Sequence, residues 1–180
     1  ISSGEINQAY NAFNLEQDHS QYFQRIASKT AALFCLSTES GSVLSQAPEK
    51  SIQALIKYAY NTGIAFQVID DILDFIGTED ELGKPVGSDL IEGTLTLPAM
   101  FLLEQYPDDN PVKKLFNNRE ELDNIRQTIE MVANSSIIQQ CYQVASEYCD
   151  LACQDLKLLP DNSARQALYD LANYIVSRRK

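Results

Sequence analysis

Histidine is almost absent from this chain: His19 is the only one, so acid–base chemistry built on imidazole has little to work with. Positive charge is also scarce. Lys and Arg number 14 against 25 Asp and Glu, and the formal net charge of -11 repels phosphate backbones, so no nucleic-acid partner is expected. Long apolar runs are missing, each being short and broken by charge, so no membrane span is expected. No basic-then-apolar leader opens the chain, which begins at Ile1, and a cytoplasmic setting follows as an expectation. The cysteines Cys35, Cys141, Cys149 and Cys153 form no CxxC pair and sit within helical patterns, which favours buried free thiols over zinc. Glycine and proline are few, at seven and six, and alternating strand patterns do not occur.

What is present is apolar spacing of three and four residues along almost the whole chain, with 44% hydrophobic residues in 180, enough for a real core. The fold class is all-α, a single domain over 1–180, and the spacing predicts helices near 4–14, 19–44, 49–76, 94–105, 111–116, 119–133, 136–158 and 162–178. Pro48 opens one helix, Gly77 follows its end, and Asp161 is the expected cap of the last. "GTEDELGKPVGSDLIEGT" is the one long irregular stretch, and such loops in compact domains are often functional.

Two helices break their own pattern. Ile52, Ile56, Ala59, Gly63, Phe66, Asp70 and Leu73 form an unbroken core-facing series that puts Asp70 in an apolar slot. At roughly 100° per residue, Gln67, Asp70, Asp71 and Asp74 share one polar stripe on that helix. Tyr22, Ile26, Lys29, Leu33, Leu36, Ser40 and Val43 step in the same way, so Lys29 takes an inward slot with Thr30 beside it. Carboxylates about 6 Å apart repel by roughly 0.7 kcal/mol in water and about 3 kcal/mol at an effective dielectric of 20. On a solvated face the stripe is cheap, and Asp70–Lys29 is then a buried ion pair with Asp71 and Asp74 on a wet edge. In a buried setting one lysine cannot neutralise three acids, and a hard multivalent cation such as Mg²⁺ fits oxygen donors at i, i+1 and i+4.

"FQVIDDILD", followed by "GTEDELGKPVGSDLIEGTLTLP" and preceded by "ASKTAALF" and "GEINQ", resembles the trans-isoprenyl diphosphate synthases, the polyprenyl synthetase family. The resemblance covers nearly the whole chain. It implies an isoprenoid synthase-type helical bundle, here incomplete because the N-terminal helices with the first aspartate-rich motif are absent, and a Mg²⁺-dependent head-to-tail condensation of isopentenyl diphosphate with an allylic diphosphate. "DDILD" corresponds to the second aspartate-rich motif, which makes Asp70 a direct metal ligand with Asp71 and Asp74 ligating or bonding through water. Lys29, Thr30 and Lys84 resemble the residues that contact the departing diphosphate, with Lys29 and Asp70 stabilising its charge. Phe66 and Gln67 resemble the pair flanking the reacting carbons.

Relatives are homodimers, so a homodimer is expected, with exposed apolar surface where helices are missing. Thr94 stands where members often carry lysine, and Arg178, Arg179 and Lys180 resemble the family's basic C-terminus or form a solvated helix end. Gly63, Tyr60 and Ile56 either border a prenyl tail or are ordinary packing. The 180-residue polypeptide is expected to be inactive by itself. A non-catalytic subunit of a heteromeric synthase is the alternative, against which stands the retention of Asp70, Asp71 and Asp74.

Overall fold

A computed structural model describes residues 1–119 and 123–178, with the backbone alone at 81 and 82. The described residues are helical in this order: α1 (Ser2–Tyr10), α2 (His19–Ile26), a π-helical turn (Ala27–Ala31), α3 (Ala32–Leu44), α4 (Glu49–Ile76), the short α5 (Glu79–Leu82) and α6 (Ser88–Ile91), α7 (Leu97–Gln105), α8 (Pro111–Asn117), α9 (Asp123–Ala133), α10 (Ile137–Leu156) and α11 (Ser163–Ser177). The all-α expectation holds. So do most boundaries, although residues 120–122 of the helix expected over 119–133 lie outside the described residues.

The 28-residue α4 is the axis of the fold, flanked by α3, α7, α9, α10 and α11. From Thr62 to Phe75 nearly every side is covered, which the sequence permits because Ile64, Val68, Ile69, Ile72 and Leu73 are apolar all round the helix. These residues join Tyr22, Leu90, Leu97, Leu102, Val112, Ile137 and Cys141 in the main core, while Tyr58, Ala59, Ala152, Leu156 and Ala172 form a smaller one toward the start of α4. The four cysteines are free thiols, with Cys141 and Cys149 buried.

The continuous helix expected over 19–44 is instead interrupted. The π turn at 27–31 inserts an extra residue, so the inward face beyond it is rotated by about one position, roughly 100°. Inward positions become Ala31, Phe34, Cys35, Thr38 and Ser42, and the predicted inward residues Leu33, Leu36 and Val43 are about half exposed. Lys29, on the turn itself, is therefore not in a core slot; a third of its side chain is exposed.

Glycine fixes this turn from both sides. A Cβ on Gly63 would lie 2.6 Å from Ala31 Cα, and one on Gly4 would lie 2.6 Å from the Lys29 nitrogen, both well inside van der Waals contact. Gly63 is thus a buried, close-packing residue against the π turn. The cap of α11 also differs from expectation: Asn162, in an extended conformation, accepts from the Arg165 N–H at 2.9 Å, while Asp161 pairs with the Arg165 guanidinium.

Candidate active site

The polar stripe of α4 faces the π turn, α6 and the end of α11. Its three aspartates divide between environments. Asp71 is buried and accepts at both oxygens, from Tyr22 Oη at 2.8 Å and from Gln67 Nε2 at 3.0 Å. Gln67 in turn accepts from Thr30 Oγ1 at 2.6 Å, so the π turn and the stripe are stitched together. Asp74 is fully buried and accepts from Ser88 Oγ at 2.8 Å, the Asp89 N–H at 3.1 Å and Lys84 Nζ at 3.0 Å. The long loop therefore closes on Asp74 through its backbone as well as its lysine, with the Gly87 N–H also donating to the Asp74 carbonyl at 2.8 Å.

Asp70 corrects the sequence reading. It is 45% exposed rather than in a core slot, because the series that predicted burial runs onto the open side of α4 at that turn. Its partner is not Lys29 but Arg178, whose Nη2 donates at 2.5 Å. Lys29 instead donates to Gln8 Oε1 at 2.9 Å and pairs with Glu5 at 3.2 Å, both on α1. Gln8 passes the connection on, its Nε2 donating to Thr94 Oγ1 at 3.1 Å. Phe66 is half-buried beneath the Arg178 guanidinium and beside Phe34, at 4.4 and 5.5 Å.

The electrostatics follow the geometry. Burial, with Asp89 as a second cause, pushes the Asp71 carboxyl up to about 7, against the pull of Gln67, Tyr22 and Arg25. Asp89 is pushed up to about 6, first by burial and then by the charge of Asp74, against the pull of Lys84. Burial pulls the Lys84 ammonium down, but its bond to Asp74 and the charges of Asp89, Asp74 and Asp70 outweigh this and hold it above its ordinary value. Asp71 and Asp89 both border a cavity of about 30 Å³, room for a single water, with Lys29, Gln8 and Thr94 also on its wall.

Sequence reasoning missed Asp89, Ser88, Tyr22 and Gln8 as members of this constellation. Ser88 and Asp89 lie in the loop already singled out as functional, and Tyr22 heads the inward series of Lys29, so the signals were present without the geometry. The basic residues Arg179 and Lys180 lie outside the described residues.

Among the described residues no three Asp, Glu, His or Cys side chains gather closely enough to cage a metal. A caged ion is not what Mg²⁺ asks for, since it keeps several waters and takes one or two carboxylates plus substrate phosphate. The donor set fits that mode: Asp70 offers the exposed carboxylate, and Asp71 and Asp74, each with both oxygens hydrogen-bonded, hold the surrounding charge.

The fold is that of solved polyprenyl synthases. It superimposes on a heptaprenyl diphosphate synthase from Staphylococcus aureus with a TM-score of 0.94 at 34% identity, covering 99% of this chain and 56% of that one. A polyprenyl synthase from Caulobacter crescentus CB15, solved with calcium and isoprenyl diphosphate, gives 0.93 at 32% identity, with coverage of 99% and 56%. The chain belongs to the polyprenyl synthetase family, which residues 1–132 match. It is 39% identical over 179 residues to heptaprenyl diphosphate synthase component 2 of Bacillus subtilis (strain 168), covering 99% of this chain and 51% of that protein. To a prenyl transferase of Synechocystis it is 36% identical, with coverage of 99% and 54%. The chain spans about half the length of the curated relatives it matches.

Proposed function

We propose that this chain is part of a Mg²⁺-dependent polyprenyl diphosphate synthase that joins isopentenyl diphosphate head-to-tail to an allylic diphosphate. The observation that carries the reading is the asymmetry of the stripe: two buried, hydrogen-bonded carboxylates behind one exposed carboxylate, with Lys29, Thr30 and Lys84 on adjoining elements. The Caulobacter relative, solved with calcium and isoprenyl diphosphate, supports the same ligand chemistry here.

In this reading Asp70 holds Mg²⁺, which when bound offsets charge building on the departing diphosphate. Lys29 and Lys84 add positive charge to the same oxygens, and the Thr30 hydroxyl, which otherwise donates to Gln67, turns to donate to them. Asp71 fixes the amide of Gln67, and Asp74 anchors the loop that carries Lys84. Phe66 offers a π face to the developing allylic cation, with Gln67 flanking isopentenyl diphosphate. The apolar row on α3, with Leu33, Leu36, Val43 and Leu44 exposed, is the surface on which the further length of a synthase, or the second subunit of a homodimer, packs.

The test is elongation of an allylic diphosphate with labelled isopentenyl diphosphate and Mg²⁺, using the protein expressed from its own gene. Asp70→Asn is expected to lower kcat by on the order of 100-fold; absence of elongation by the unaltered protein rejects the reading. The 180-residue polypeptide alone presents one carboxylate wall and is expected to be inactive, so turnover by a homogeneous preparation of it rejects the need for a second wall.

A further inference from the structure

Arg178 directly follows α11 and lies 108 residues from Asp70, yet it reaches down onto α4. Its Nη2 donates to Asp70 Oδ1 at 2.5 Å, its guanidinium carbon stands 4.4 Å from the centre of the Phe66 ring, and its side chain is only 15% exposed. A charged residue at a helix end is ordinarily solvated. This one gives up water for a carboxylate and an aromatic face, a combination that suits the planar, weakly hydrated guanidinium better than an ammonium. The exchange is incomplete, because Arg178 Nε is buried with no hydrogen-bond partner. A buried donor left unpaired is costly, and water satisfies it as soon as the side chain lifts away.

Asp70 is also the one exposed carboxylate of the stripe, so a cation from solvent meets the same carboxylate whose Oδ1 holds Arg178. A divalent ion and a guanidinium sharing one carboxylate repel each other, and the ion carries the larger charge. We infer that Arg178 is the resident counter-cation of Asp70, and that a divalent ion taken up by Asp70 displaces it, uncovers Phe66 and frees the last turn of α11. This rests on the metal role given to Asp70 above. Linkage makes the coupling reciprocal: the factor by which the seated Arg178 weakens ion binding is the factor by which the ion loosens α11. The end of α11 thereby reports on, and modulates, occupancy of the stripe.

Hydrogen exchange over residues 173–178 tests this in the protein expressed from its own gene, first in EDTA and then with Mn²⁺, alone and with inorganic pyrophosphate. In EDTA, Asp70→Asn is expected to raise exchange there severalfold, because it releases Arg178 without any metal. Saturating Mn²⁺ is expected to raise exchange in the unaltered protein to the same level and to leave Asp70→Asn unchanged. Arg178→Gln is expected to tighten Mn²⁺ binding roughly two- to fivefold, the weight of an ion pair of this exposure. Equal exchange of Asp70→Asn and the unaltered protein in EDTA overturns the contact, whatever the metal does. Asp70-dependent Mn²⁺ binding that leaves residues 173–178 protected overturns the displacement while sparing the metal role of Asp70. Absence of Asp70-dependent Mn²⁺ binding in every variant overturns both.

Discussion

Replacing Gly63 by alanine adds a single methyl group where α4 meets the backbone of the π turn. An ideal Cβ there lies 2.6 Å from Ala31 Cα and 2.8 Å from Ala31 Cβ, about an ångström inside normal contact. The nearest atom is backbone, so no rotamer change relieves it; either α4 or the π turn must shift. Overpacking of this kind costs up to about 3 kcal/mol, while alanine gains about 1 kcal/mol in helix propensity over glycine. The net expectation is a loss of about 2 kcal/mol, which moves a urea midpoint down by about 1 M for m near 2 kcal/mol/M. Ala31→Gly should not rescue it, because Ala31 Cα remains in place. Gly41 supplies the control, since a Cβ there meets nothing within 4 Å, and Gly41→Ala should stabilise by up to about 1 kcal/mol. Circular dichroism at 222 nm during urea titration measures all three. A Gly63→Ala midpoint equal to or above that of the unaltered protein would refute the claim that backbone contact sets the spacing of α4 and the π turn.

Stability in EDTA should fall as pH rises from about 4 to 7 and then level off, because the folded state binds the Asp71 and Asp89 protons more tightly than the unfolded chain does. Asp71→Asn should flatten that fall, and an undiminished slope in urea midpoints against pH would contradict the burial argument. Lys84→Met should lower stability by about 1 kcal/mol, the lysine being 45% exposed, and Ser88→Ala by about 1–2 kcal/mol through the lost bond to buried Asp74; thermal or urea melts check both. Gln8→Leu removes one acceptor that berths Lys29 on α1, so the lysine gives up one bond fewer to reach a phosphate, and calorimetry with Mn²⁺ and pyrophosphate should show affinity strengthened by about three- to tenfold.

The helices were legible because three-and-four spacing, Pro48 and Gly77 are local signals, and α4 was found at its full length. The π turn was not. An added residue in a helix leaves no mark on composition, and it alone turned Leu33, Leu36 and Val43 outward and Lys29 toward α1. The acidic stripe was visible as a stripe, but burial within it depends on which neighbour covers each turn, so Asp70 was placed inward when Asp71 and Asp74 are the buried pair. Asp70 and Arg178 pair across 108 residues, a separation that no periodicity encodes.

Gly4 and Gly63 grip the π turn like the jaws of a vice, and this decides how Lys29 can act. Its main chain has no slack, so any reach toward an incoming phosphate must come from the butyl arm alone. That arm works as a crane on a bolted base: it can swing off its berth on α1 without dragging a helix along, and it returns to the same berth each time.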